Sequence, residues 1–404
     1  MVRRSPRLAA ADVAVAPSLE PLFRIKFELQ IQRDAINNRI SKRWKTHTPV
    51  RRSRGINNPN NYCYMNSTLQ ALMHQPSFLN WILTHRSARS SRANVVRNDC
   101  KNPVDCAGCA LKGLVQRYSA GHFLPNVVPG AIAFPRDIER IAINRGMYLA
   151  NTQDDSAELY QFLLREVKKA TDKRVFPMWR REFHALFSLD TTVNVTCNAC
   201  NQERFSSTRR EQGMVLSVSN HNSTWNNVLD GYFREDVNNL TCPTCNAQTN
   251  QVARSKIVAA PQILKIRLSI FNWVPPSAPG IQGQMLKVHH HVHYPDILNL
   301  QNRQLHDHLP LRYRLSSVIS HAGADINSGH YIASARGPRD DQDIRCISDS
   351  NTEQFKQSQL LQSPQRPTQV SHSVLEAYVL TYIKQDVPLT RQQRKIEALV
   401  SDMV

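Results

Sequence analysis

A chain of 404 residues can bury a sizeable core, and 41% hydrophobic with 21% charged residues places it in the soluble globular class. No apolar run approaches the ~18 residues of a membrane-spanning helix, so membrane insertion is not expected. Lys and Arg outnumber Asp and Glu by 51 to 32, a formal charge of +19. That excess fits an acidic partner, chromatin or nucleic acid, and fits equally a basic surface that serves solubility alone. Nine cysteines are an odd number, and four of them form two CxxC pairs. Such usage suits metal and catalytic roles in a reducing compartment, nuclear or cytoplasmic, better than a disulfide framework.

Residues 1–17 are rich in Arg, Ala and Pro without apolar periodicity, which reads as a disordered basic arm. A mitochondrial transit peptide is the competing reading, since no acidic residue precedes Asp12; a secretory signal is not supported. From Ser18 to Lys45 there is no Gly, and Leu22, Ile25, Leu29, Ile36 and Ile40 lie on one helical face. Residues 1–50 are therefore expected to form an N-terminal arm with a helix, linked by Arg51–Gly55 to the main unit. From Gly55 to Lys173 the pattern is mainly helical, with apolar residues at three- and four-residue spacing in Leu111–Tyr118 and Asp155–Val167. After Phe183 short β-rich runs take over: TTVNVTC, VLSVS, QILKIRL, KVHHHVHY, YRLSSVIS and YVLTYI. Helices first and strands later predict an α+β protein spanning 51–384, followed by a polar tail over 385–404.

Two segments carry nucleophilic chemistry. In GINNPNNYCYMNSTLQALMHQPSFL, Cys63 opens a helical pattern of Met65, Leu69, Leu72 and Met73. The sulfur is thereby placed at a helix N-terminus, where the dipole favours thiolate. In YRLSSVISHAGADINSGHY, His330 stands between Gly329 and Tyr331 at the start of a strand and can act as its base. Cys197, Cys200, Cys242 and Cys245 have the spacing of a tetrahedral zinc site; four thiolates close the coordination shell, so the zinc is structural and no catalytic cofactor is expected. Cys100, Cys106 and Cys109 form a second cluster that lacks a fourth ligand fixed by spacing, with His85 and His122 as candidates. His289, His290, His291 and His293 lie in an alternating segment and read as strand residues, and Cys346 as a packing residue.

The two segments resemble the Cys and His boxes of the ubiquitin-specific proteases, papain-like cysteine deubiquitinases. QDDSAELYQFLL is similar to that family's helix at the ubiquitin tail, the CxxC pairs resemble its zinc-ribbon fingers, and AYVLTYIK its closing strand. The resemblance covers Gly55 to Lys384 and implies a thumb, palm and fingers architecture, with fingers over about 190–270. It implies hydrolysis of the isopeptide or peptide bond after the ubiquitin C-terminal glycine, with ubiquitin and ubiquitinated proteins as partners. By the same resemblance Asn58 is the oxyanion donor, with Asn61 a second candidate, and Asp155 and Glu158 contact the ubiquitin tail.

The third triad position departs from the pattern: Ser348 stands where the family has Asp or Asn, and Asp349 follows it. A Ser hydroxyl brings no charge, so Asp349 is expected to be the working carboxylate and Ser348 an aid. Asn60 replaces a family Gly, and Tyr62 a Thr that a bulky ring would turn into a narrower cleft. These departures favour a rival reading, a catalytically weak or inactive ubiquitin-binding relative. A basic zinc-ribbon module for nucleic acid would explain the charge but not the two boxes.

Overall fold

The computed structural model describes residues 29–44, 53–85, 100, 102–119, 130–147, 152–171, 177–219, 224–276, 283–290, 292–307, 309–323, 328–337, 343–361, 367–368 and 371–388. Residues 1–17 and most of the polar tail lie outside them, as do His122 and His291.

Helices come first. After α1 (29–37) follow α2 (Cys63–Met73), α3 (Pro76–Ile82), α4 (Ala107–Ser119), α5 (Arg136–Asn144), α6 (Ser156–Lys169) and α7 (Pro177–Phe187). Every residue of α2 is buried. A helix enclosed on all sides is a central one, and it packs against α6 and the sheet rather than along the surface. The N-terminus of α6 is capped by Asp155, whose carboxylate accepts the N–H groups of Ala157 and Glu158.

Two main sheets follow. A four-stranded sheet, ordered β2-β1-β5-β4, comprises β1 (Leu189–Cys197), β2 (Glu203–Glu211), β4 (Arg234–Thr241) and β5 (Gln248–Ala259). Between them β3 (Met214–Ser217) and α8 (Trp225–Phe233) leave this sheet, and β3 pairs in parallel with β6 (Ile263–Ser269). The fingers sheet thus occupies 189–259, and β6, inside the span expected for the fingers, belongs to the larger sheet. That sheet runs β13-β12-β11-β10-β15-β6-β3 through β10 (Arg312–Ala322), β11 (His330–Arg336), β12 (Ile344–Ser348), β13 (Asn351–Phe355) and β15 (Ser371–Lys384), with β9 (Ile297–Asn299) on β10 and β14 (Pro367–Thr368) on β15. A separate hairpin pairs β7 (Phe271–Val274) with β8 (Gln284–Lys287). The expected strand KVHHHVHY ends at Lys287: His289 instead bonds Glu376 and His290 the Ala377 carbonyl. One core runs from Ile40 to Tyr382 through helices and large sheet, whereas among the described residues of the fingers Val193, Val195 and Ala253 form a small separate cluster. So small a core calls for a second source of stability.

The arm is not separate from the domain. Arg33 of α1 is buried and donates to the carbonyls of Ser188 and Ala259 and, at 2.6 Å, to Asp190. These groups lie where β1 and β5 leave the palm. Arg210 of β2 meets the same Asp190 carboxylate at 2.7 Å, so one buried anion joins three elements.

Candidate active site

Cys63 is the first residue of α2, and the backbone N–H groups of Tyr331 and Tyr64 near its sulfur favour the thiolate. The packing of α2 on β11 sets Cys63 beside the strand that begins at His330. Burial pushes the Cys63 thiol up to about 11; the nearby Asp349 charge raises it further, and the amides lower it. The expected helix-dipole preference for thiolate is therefore outweighed, because desolvation of a charged sulfur exceeds what a few N–H dipoles return.

His330 Nε2 lies 2.8 Å from Ser348 Oγ. Asp349 faces elsewhere: Oδ2 accepts from Asn58 Nδ2 at 3.0 Å and Oδ1 from Asn66 Nδ2 at 2.7 Å. The expected Asp349–His330 contact is corrected to Ser348–His330. Neighbours along a strand point to opposite faces, so only one of the pair can meet the imidazole. Ser348 closes β12 opposite Asn351, leaving Asp349 and Ser350 as a two-residue turn. Asp349 has φ +50°, a left-handed conformation that Asp tolerates. Gly55 is needed beside this turn, where an added Cβ would lie 2.2 Å from the Ser350 carbonyl oxygen. The Ile56 N–H then reaches the Asp349 carbonyl at 2.8 Å, tying the Cys loop to the turn.

Asn58 organises its own loop. Its Oδ1 accepts the N–H groups of Asn60 and Tyr62, both at 3.1 Å. Asp349 takes one amide proton, which fixes the direction of the other. Asn61 is exposed on the same loop. Tyr62 does not narrow the cleft: it is fully buried, its ring packs tilted against Phe134 at 4.7 Å between centroids, and it donates to Glu139. Asn66 and the Tyr331 amide were missed in the sequence, since neither carries a local signal.

Asp155 and Glu158 do not share a helical face, because Asp155 is the cap that precedes the helix. It is 1% exposed and also receives Tyr378 Oη at 2.6 Å and Arg267 at 3.5 Å. Glu158 is exposed.

The sulfurs of Cys197, Cys200, Cys242 and Cys245 lie within 4.8 Å of one another. Cys197–Cys245 is 3.9 Å and Cys200–Cys242 3.8 Å, close to the ~3.8 Å edge of a tetrahedron with Zn–S of ~2.3 Å. Asn201 and Asn246, both at φ +55°, follow the two CxxC turns and donate back to the Cys197 and Cys242 carbonyls. The residues fit a zinc ion. A second set joins His85 to Cys100, Cys106 and Cys109, with His85 Nε2 3.4 Å from both Cys106 and Cys109. Of the two histidines the sequence offered for the fourth position, His85 lies at the cluster, 21 residues before Cys106 and 24 before Cys109.

The family model for ubiquitin carboxyl-terminal hydrolase matches residues 54–382. The chain belongs to that family, and within it to the ubiquitin-specific proteases: it is a cysteine-type deubiquitinase with the papain-like fold. Ubiquitin carboxyl-terminal hydrolase 8 of Saccharomyces cerevisiae is 24% identical over 348 residues, 74% of this chain and 69% of that one. Ubiquitin carboxyl-terminal hydrolase 17-like protein B of Mus musculus is 23% identical and covers 93% of this chain and 73% of its own length. The chain spans only 27% of ubiquitin carboxyl-terminal hydrolase 36 of Drosophila melanogaster, at 24% identity. Among solved structures, a SAGA DUB module of Ubp8, Sgf11, Sus1 and Sgf73 bound to monoubiquitin aligns with TM-score 0.65 at 20% identity, covering 83% of this chain and 70% of that one. Among the described residues no helix is long and apolar enough to cross a membrane.

Proposed function

We propose that Cys63 and His330 perform the hydrolysis, with Asn58 and Asp349 building the oxyanion site and Ser348 holding the base. The observation that carries this reading is the packing of α2, which Cys63 opens, on the strand that begins at His330, whose imidazole lies 2.8 Å from Ser348 Oγ. His330 takes the thiol proton as the sulfur attacks the carbonyl carbon of the terminal glycine. The free Asn58 amide proton and the Cys63 N–H meet the oxygen as it becomes negative, one such donor being worth about 3 kcal/mol. Collapse expels the lysine amine, which receives the proton from His330; water, deprotonated by the same imidazole, then cleaves the thioester. Ser348 accepts from the ring without adding charge, so imidazolium is stabilised less than beside a carboxylate.

Covalent labelling by a ubiquitin probe with a C-terminal electrophile tests the assignment. Labelling in the full chain and its loss in Cys63→Ser are expected, with ubiquitin binding retained. An unlabelled wild-type protein that binds ubiquitin would support the inactive relative instead.

Both cysteine clusters are proposed to hold structural zinc, supported by their sulfur and nitrogen spacing. With Asp155 committed to capping, Glu158 is the exposed carboxylate for the arginine-bearing ubiquitin tail, and Asp155 shapes the groove from within. The likeness to a module that contains other proteins supports partners beyond ubiquitin, for which the +19 charge favours acidic ones, in nucleus or cytoplasm.

A further inference from the structure

A buried cation lies behind the base, in contact with neither Cys63 nor His330. Lys287, the last residue of β8, has its side chain 1% exposed and faces Glu376 Oε2 at 2.9 Å. Its ammonium also lies 2.8 Å from the Gly323 carbonyl, 3.2 Å from the His321 carbonyl and 3.1 Å from His321 Nδ1. An ammonium only donates, so Nδ1 must accept, and the His321 proton resides on Nε2. That Nε2 lies 3.2 Å from the Ser328 carbonyl. His321 is itself fully buried, with its ring 4.5 Å from that of Tyr331.

The chain thus leaves β10 at Gly323 and returns at Ser328 with both ends bonded to one Lys–His pair. The ends close on each other: a Cβ on Gly323 would lie 2.6 Å from the Ser328 carbonyl oxygen, and one on Gly329 2.1 Å from that of Ala322. Gly323 and Gly329 have φ of +141° and +120°, where other residues are strained. The residue after Gly329 is His330.

We infer that Lys287 is a positioning residue for the hydrolysis: through His321 it fixes the backbone at Ser328 and Gly329, and so the place from which His330 reaches the Cys63 thiol. The inference rests on His330 being the base. Displacement of a reacting group by about 1 Å can cost on the order of 10²-fold in rate. A displaced base is felt in the reacting step, so the effect belongs in kcat rather than KM.

Lys287→Met alone would leave Glu376 buried without its cation, and a fall in stability could mask the rest. The informative protein is the full chain carrying Lys287→Met with Glu376→Met, because a buried ion pair replaced by apolar residues of similar volume often keeps its stability. Steady-state cleavage of ubiquitin carrying a C-terminal fluorophore should show kcat at least tenfold lower and KM within about twofold of wild type. Lys287→Arg, which restores a buried donor, should recover part of the kcat. A folded double variant with wild-type kcat would overturn the inference, as would a loss confined to KM. If the double variant does not fold, Lys287→Gln carries the same comparison, and wild-type kcat there overturns it equally. Loss of activity in His330→Ala alongside wild-type kcat in the Lys287 variants would discard the positioning role and keep the base.

Discussion

At the scale of single residues, Asp349 is the informative one. Its two oxygens hold Asn58 and Asn66, so its removal should act through the oxyanion donor. Asp349→Ala and Asn58→Ala are each expected to lower kcat by about 10²–10³. Their effects should not add: residues serving one function couple strongly, so the double variant should resemble either single one. Additive losses would show that Asp349 works through His330 instead. Ser348→Ala should cost less, because the hydroxyl brings orientation but no charge. The thiol offers an independent test. With burial holding Cys63 near 11, its alkylation by iodoacetamide in the absence of ubiquitin should climb steadily with pH above neutrality. A rate already level between pH 5 and 8 would reveal a preformed thiolate and refute the dominance of burial.

At the scale of elements, the fingers should depend on the zinc proposed for their four cysteines. Their buried core is small and both knuckles end in left-handed Asn residues, so the ion's binding energy should be folding energy. Cys242→Ala should lose one zinc by elemental analysis and melt at lower temperature; an unchanged metal content would refute the site. The end of α2 contributes a pH dependence. Burial lowers the His74 pKa to about 4, with the ring held by Ser53 Oγ at 2.7 Å and the Gln70 carbonyl at 2.7 Å. A depressed histidine contributes stability that is fully present above its unfolded value of ~6.5 and lost as pH falls through 4. His184, lowered to about 3, acts in the same direction. The protein should therefore lose about 3 kcal/mol through His74 alone on acidification from pH 7 to 4, and His74→Gln should flatten that part of the urea-unfolding profile.

At the scale of the whole molecule, residues before the family match pack on the domain. The family match starts at residue 54, yet Arg33 lies at the junction of palm and fingers and Lys384 meets Asp34 at 2.8 Å. Arg33→Met should destabilise by about 3 kcal/mol; Arg210 still faces Asp190, which keeps the loss near the lower end for a broken buried pair. A fragment beginning at residue 54 should melt below one beginning at 29, as calorimetry would show. Equal melting points would mean that the arm only rests on the domain.

What the sequence by itself determined is the chemistry that short segments carry. The nucleophile at a helix start, the Gly-His-Tyr strand and the CxxC pairs are legible because their meaning depends on neighbours a few residues away. The same holds for the order of helices before strands, which follows from local periodicity. Only the tertiary structure decided which of Ser348 and Asp349 meets His330, because strand alternation and a left-handed turn choose between adjacent residues. It also brought His85 to the three thiols of the second cluster, withdrew Asp155 into a cap, and turned Tyr62 into the core. Burial pushes the Cys63 pKa up, against the lowering expected of a helix start, a quantity that depends on everything packed around the sulfur and so is written in no single stretch of the chain.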